Sequence, residues 1–248
     1  MRKFLAGLKE KTVPLNYGRD VITGFAGRHA ARGEGPLKIL DVGLGTAADI
    51  LNVRAALAPL PCELFGIDAF EPNLAAARGH GISVSTVDIE RDALPYAAAF
   101  LDIVIANQVV EHTKEIFWIF SEFSRVLKPG GIAIVGVPNL ASLHNRVLLL
   151  MGLQPSSIEL LGPHVRGITR GSFENFISTD GYFEVLETRG ANFYPFPAPI
   201  SDGLARMFPN SSVSLFFCLR RTAKKGVFIE VLSTRFFETN YYTGGRTG

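Results

Sequence analysis

Cysteine is scarce in this chain: Cys62 and Cys218 are the only two in 248 residues. One pair cannot build the disulfide framework of a small secreted domain, and each lies in an apolar run where a reduced, buried thiol is expected. Charge is thin as well, at 19% of residues against roughly a quarter in an average globular protein. Lys and Arg number 25 and Asp and Glu 23, a net charge of +2, which excludes the strong basic footprint of a nucleic-acid surface. The visible excess (Arg220, Arg221, Lys224, Lys225, Arg235 and Arg246 against Glu230 and Glu238) reads as a mildly basic, solvated tail. No run approaches the roughly 18 uninterrupted apolar residues of a membrane span. The first eleven residues begin basic but carry only Phe4 to Leu8 before the next charge, too short for a signal-peptide core. A cytoplasmic protein in a reducing compartment is expected, without an integral membrane segment. The partly apolar stretch 140–153 is the one candidate for contact with a membrane surface.

What is present is apolar. Hydrophobic residues make up 47%, enough for one large α/β domain, and the mean hydropathy is positive at +0.22. Eleven of the 19 phenylalanines lie between Phe173 and Phe237. From 37 to 137, short apolar runs alternate with helix-like segments. Strands are expected at 37–42, 63–68, 82–88, 101–107 and 132–137. Helices are expected after Thr46, as N-cap with Asp49 in capping-box register, near Glu71-Pro72, and over 114–127, where Pro129-Gly130-Gly131 breaks the last one. Strands apolar on both faces that alternate with helices indicate a doubly wound, parallel α/β sheet. The expected layout is an N-terminal helical cover (1–36), a core (37–138), an insertion after the fifth strand (139–170), the end of the sheet (171–222) and a C-terminal extension (223–248). The insertion carries a helix at 143–151. A helix at 171–178 and strands at 183–188, 212–219 and 227–232 follow. Phe193, Phe196 and Phe208 are candidates for the wall of a pocket. Phe228, Phe236, Phe237, Tyr241 and Tyr242 lie beyond the expected final strand and are candidates for a homodimer interface.

The chemistry is concentrated at Ile39-Leu40-Asp41-Val42-Gly43-Leu44-Gly45-Thr46-Ala47-Ala48, a strand entering a glycine turn before a helix. Gly43-x-Gly45-x-x-Ala48 fits the G-x-G-x-x-G/A pattern of a dinucleotide fold, which keeps an NAD(P)-dependent oxidoreductase among the alternatives. Asp41 opposes it: two residues before the first glycine, its carboxylate faces the place of a pyrophosphate, a repulsion of roughly several kcal/mol where water is excluded. A cofactor with a cationic centre and no phosphate, such as S-adenosylmethionine, suits the turn instead. Asp68, ending the second strand, can accept hydrogen bonds from both ribose hydroxyls. Asp88 ends the third strand, where it can read an adenine amino group, and Asn107 ends the fourth beside the glycine turn. Strand-end Asp and Asn also cap turns, but four in chain order point to a site.

These residues carry a resemblance. Ile39 to Gly45, Phe65-Gly66-Ile67-Asp68, Asp88, Leu101 to Val104 with Glu111-His112, and Arg125 to Gly131 are similar to the successive motifs of class I S-adenosylmethionine-dependent methyltransferases, in detail over 37–137. The resemblance implies a Rossmann-like seven-stranded sheet with its last strand antiparallel. It also implies a cofactor site lined by Asp41, Gly43, Gly45, Asp68, Asp88 and Asn107, with Ala69, Ile89 and Val109 beside them. Ala47 departs from the pattern, because many members carry a third glycine there. In related enzymes a Tyr or Arg of a leading segment closes over the cofactor carboxylate, a role open to Tyr17 and Arg19; the alternative is a half-buried Tyr and a surface Arg.

Methyl transfer is an in-line displacement in which alignment does most of the work, and a base matters only for a nucleophile that arrives protonated. His112 is the candidate base, although Glu111-His112 also occurs in the family as a structural pair. Some ubiquinone-type members place Glu, Glu and His at i, i+3 and i+4 where this chain has Gln108, Glu111 and His112. The lost carboxylate weakens a hard-cation site, and no metal is expected. His144, His164 and Arg166 in the insertion are candidates for the acceptor side, since His164 to Thr169 resembles a stretch of small-molecule methyltransferases. The expected activity is transfer of a methyl group, most simply to oxygen, on a small hydroxylated metabolite or saccharide, with S-adenosylhomocysteine as product. The remaining alternative is a cofactor-binding interaction protein without turnover.

Overall fold

The computed structural model describes residues 18–31, 33, 35–235, 237–238 and 240–245, so Tyr17 and Phe236 lie outside the described residues. Helix α1 (Arg19–His29) precedes β1 (Leu37–Val42), α2 (Ala48–Leu57), β2 (Cys62–Ile67), α3 (Glu71–Arg78), β3 (Ser83–Ser85) and β4 (Leu101–Asn107). After β4 come α4 (Ile116–Val126), β5 (Leu127–Pro138), α5 (Leu143–Leu150), α6 (Arg170–Ser178), β6 (Phe183–Ala191), α7 (Ile200–Met207) and β7 (Ser214–Arg221). The strands form one seven-stranded sheet in the order β3-β2-β1-β4-β5-β7-β6. β1 pairs in parallel with β2 and β4, while β7 runs antiparallel between β5 and β6. The chain therefore reverses its direction of travel across the sheet between β1 and β4, the place where open α/β sheets bind ligands.

Alternation along each inner strand feeds two cores. Leu40, Val42, Val104 and Ala106 join the core on one face, under α4 and α6. Ile39, Ile103 and Ile105 join the other, under α1, α2 and α3. Each such Leu, Ile or Val side chain contributes about 1.5–3 kcal/mol by leaving water, so the apolar composition is what a sheet covered on both sides requires.

Four expectations are corrected. β3 ends at Ser85, so Asp88 lies in the turn beyond it; its partner β2 stops at Ile67, the residue opposite Ser85, and leaves nothing for a longer strand to pair with. Thr46 does not cap α2: the N-cap residue is Ala47, with φ +58° and no side-chain bond. Pro129-Gly130-Gly131 is not what ends α4, which stops at Val126 and passes directly into β5. It lies within β5, where pairing shifts register between Leu101 and Ile103. The segment expected as a strand at 227–232 is a 3-10 helix, Phe228–Thr234. Glu230 Oε1 there accepts the N–H of Val227 at 3.2 Å, closing a local turn in place of a ladder.

Four of the C-terminal aromatics, Phe228, Phe237, Tyr241 and Tyr242, pack within the chain. Phe228 is fully buried and meets Phe117, Phe120, Phe176, Tyr182 and Phe183 at centroid distances of 5.1–6.3 Å. Phe237 and Tyr241 pack on Phe117, and Tyr242 on Trp118. Every residue of α4 except Arg125 is buried as a result. Apart from Phe70, the large exposed apolar groups sit around the insertion and α7, and Leu150, Leu160 and Leu161 of the insertion are almost fully exposed. Among the described residues no helix is long and apolar enough to cross a membrane.

Candidate functional site

The turn after β1 is held by its neighbour strand: the N–H groups of Gly43 and Leu44 donate to the Ile67 carbonyl at 2.8 and 3.1 Å. Gly43, Gly45 and Ala47 have φ of +73°, +49° and +58°, so the chain turns through three left-handed residues in five positions. Ala47 takes the conformation that a third glycine would adopt at less cost. At Gly43 a Cβ would lie 2.6 Å from Val109 Cγ2, so only hydrogen fits between the turn and Val109, two residues past the end of β4.

Carboxylates crowd this turn. Asp41 is 2% exposed; burial lifts its pKa well above the usual carboxylate range, repulsion from Asp49 and Asp68 adds to the rise, and the Ile50 N–H opposes it. Asp49, on the first turn of α2, accepts from Asn107 Nδ2 at 2.8 Å and pairs with Arg19 Nε at 3.4 Å. Asp68 Oδ2 accepts from the Gly45 N–H at 2.8 Å and Asn73 Nδ2 at 3.0 Å, and its Oδ1 from the Phe70 N–H at 2.8 Å. Arg19, Asp41, Gly43, Gly45, Asp68, Asn107 and Val109 thus gather at one end of the sheet, with Ala69 exposed beside Asp68. Asp49 and Asn73 belong to the same network, and sequence reasoning missed them. The signal for Asp49 was its position, read as capping register.

Asp88 is placed differently. Its carboxylate accepts the Glu90 N–H at 3.0 Å, so it orders its own turn. That turn, which includes Ile89, is tied to the start of α4 by Glu90 Oε2, acceptor for the N–H groups of Lys114 and Glu115 at 2.7 and 3.0 Å.

Beyond β4, a short 3-10 turn, Val110–His112, presents Glu111 and His112. Glu111 is 1% exposed, and burial pushes its pKa up to about 7. Burial also lowers the pKa of His112, with the nearby His164 adding to the effect against the Pro163 carbonyl. The rings of His112 and His164 meet edge to face at 4.7 Å, so the structure joins the candidate base to one of the three insertion candidates. The other two are engaged in holding the insertion. His144 sits between the hydroxyls of Ser142 and Ser156, at 3.2 and 3.0 Å. Arg166 donates to the carbonyls of Thr113, at 3.2 Å, and Lys114. Gln108, between Asn107 and Val109, has φ +58° and a buried Nε2 with no hydrogen-bond partner among the described residues.

Residues 40–135 match the family model of a methyltransferase domain, Methyltransf_11. The ubiquinone biosynthesis O-methyltransferase of Mesorhizobium japonicum is 30% identical over 178 residues, covering 69% of this chain and 66% of that protein. The chain spans less than two thirds of the length of such curated relatives, 56% for the Sinorhizobium fredii enzyme of the same name. Among solved structures, an S-adenosylmethionine-dependent methyltransferase from Mesorhizobium loti superposes with a TM-score of 0.56 at 16% identity, over 83% of this chain and 98% of that one. The trans-methyltransferase CalH, solved with S-adenosylhomocysteine, gives 0.56 at 17% identity, over 82% of this chain and 55% of that one. These structural likenesses bear on the fold.

Proposed function

We propose, from the match of residues 40–135 to a methyltransferase-domain family model and from the fold, that this chain is a class I S-adenosylmethionine-dependent methyltransferase and that it methylates an oxygen of a small hydroxylated acceptor. The observation that carries the reading is the set of three carboxylates, Asp41, Asp49 and Asp68, around a glycine turn where a Cβ at Gly43 would collide with Val109. Such a turn repels the pyrophosphate of a dinucleotide and attracts a ligand bearing sulfonium and ammonium charges. The same carboxylates argue against the oxidoreductase alternative. When bound, S-adenosylmethionine supplies the methyl group and the positive sulfur that activates it.

The residues then divide the work. Asp68 accepts the ribose hydroxyls, and Gly43 and Gly45 let the backbone approach. Arg19, pinned by Asp49, offers its guanidinium to the carboxylate end. Asn107 and Val109 hold the floor beneath the transferring carbon. His112, its ring neutral because its pKa is lowered, takes the acceptor proton. Oxygen is favoured as the receiving atom by the name of the O-methyltransferase relatives, and an acceptor with an apolar part by the exposed Leu150, Leu160 and Leu161 of the insertion.

Calorimetric titration with S-adenosylhomocysteine and with NADPH tests the cofactor, and radiolabelled S-adenosylmethionine with a panel of phenols and saccharides tests the acceptor. Homocysteine-nucleoside binding, no NADPH binding and label on a hydroxyl are expected. Binding of NADPH alone would overturn the cofactor reading, and label found only on nitrogen would overturn O-methylation.

A further inference from the structure

The 3-10 turn after β4 and the insertion are sewn together at one place. The Glu111 carbonyl accepts the N–H groups of Val165 at 2.8 Å and Arg166 at 3.3 Å, which brings His164 alongside. The Glu111 side chain is buried there, and neither carboxylate oxygen has a hydrogen-bond partner among the described residues. A buried carboxylate without donors is costly, and buried charges in proteins are paired or coordinate metals.

The two imidazoles beside it are already oriented. His112 Nδ1 lies 3.3 Å from the Pro163 carbonyl and His164 Nδ1 lies 2.9 Å from the Ser157 carbonyl. A carbonyl oxygen only accepts, so in each neutral ring the proton belongs on Nδ1 and the lone pair on Nε2. Imidazoles that ligate metals are held in this way, the far nitrogen donating to a carbonyl or carboxylate. One ligand atom from each of Glu111, His112 and His164 lies within 4.8 Å of the other two, and His112 Nε2 is 3.9 Å from Glu111 Oε1.

We propose that Glu111, His112 and His164 form a site for one divalent first-row transition ion, zinc or manganese in character. Two nitrogens and one carboxylate suit such ions better than magnesium or calcium, which want oxygen ligands. Bonds of about 2.1 Å draw tetrahedral ligands to about 3.4 Å of one another, so the side chains close by about an ångström, which the exposed ring of His112 permits. Three protein ligands leave a position open for an oxygen. The loss of a carboxylate at Gln108, which argued against a hard cation, is answered by His164, a ligand from the insertion. With the ion bound, His112 Nε2 is a ligand rather than a proton acceptor, and an acceptor hydroxyl in the open position loses its proton more readily by coordination. That role for the ion rests on the methyltransferase reading; its binding does not.

The test uses the full chain, stripped with a chelator and titrated with zinc, manganese and magnesium by calorimetry without cofactor, with bound metal counted by elemental analysis. Cobalt(II) absorption reports the ligands. One equivalent of zinc or manganese is expected, with His164→Ala weakening it at least tenfold and changing the cobalt spectrum. Glu111→Gln should do the same. No stoichiometric binding, wild-type affinity in His164→Ala, or a preference for magnesium would overturn the proposal. Titration of S-adenosylhomocysteine into the stripped protein keeps the two readings apart: its binding there, with no metal site found, leaves the methyltransferase reading standing.

Discussion

The N–H of Gly45 donates to Asp68 Oδ2 at 2.8 Å, so the carboxylate at the end of β2 fastens the glycine turn that follows β1. One side chain both shapes the turn and stands where a ribose would rest. Replacing Asp68 with Ala is expected to weaken S-adenosylhomocysteine at least tenfold, about 1.4 kcal/mol, in a calorimetric titration. Asp68→Asn, which keeps an acceptor oxygen, should fall between the two. Unchanged affinity in Asp68→Ala would remove the ribose assignment.

Gly43 gives a second, steric prediction. An alanine there meets Val109 Cγ2 at 2.6 Å and adopts a left-handed backbone that costs roughly 1–2 kcal/mol for a residue with a Cβ. Gly43→Ala should lose at least tenfold in cofactor affinity. Adding Val109→Ala should recover part of that loss, because it relieves the collision and leaves the backbone strain. A single variant that binds normally would mean that the turn yields easily.

Asp41 makes binding depend on pH. Its pKa is raised by burial first and by its acidic neighbours second, so acid neutralises the charge that attracts a sulfonium. Affinity for S-adenosylmethionine should be full above that raised pKa and fall as pH drops through it, with proton release on binding. S-adenosylhomocysteine lacks the sulfonium charge and should show a shallower slope. Equal slopes for the two ligands would disconnect Asp41 from the sulfur.

Phe228 is a stability prediction. Fully buried among five other aromatic rings, it should cost about 3–5 kcal/mol when replaced by Ala, read from urea unfolding. A loss below about 1 kcal/mol would mean that the C-terminal segment is only loosely attached.

The inner strands and the glycine turn were legible because their signals are local: apolar runs with punctuation, and a carboxylate two residues before a glycine. Other features depend on distant partners. The run at 227–232 has strand composition, yet Glu230 turns back on Val227 and the rings find α4 instead. Helix α7 follows the proline-rich run Pro195, Pro197 and Pro199, with Pro199 at its N-cap, and the following Asp202 was the available hint of a helix start. His164 meets His112 only because the insertion folds back over Glu111, and nothing in the local sequence of either histidine announces the other. The burial of Glu111 was hidden for the same reason.

The nearly complete burial of α4 has a consequence for the order in which the molecule can be completed. Its outer face is covered by Phe228, Phe237, Tyr241 and Tyr242, more than a hundred residues downstream. During synthesis that face must wait, apolar and uncovered, until the segment carrying Phe228 to Tyr242 leaves the ribosome, and contacts of such long sequence separation form late. The interval between the two is when this protein is most exposed to aggregation and most dependent on chaperones.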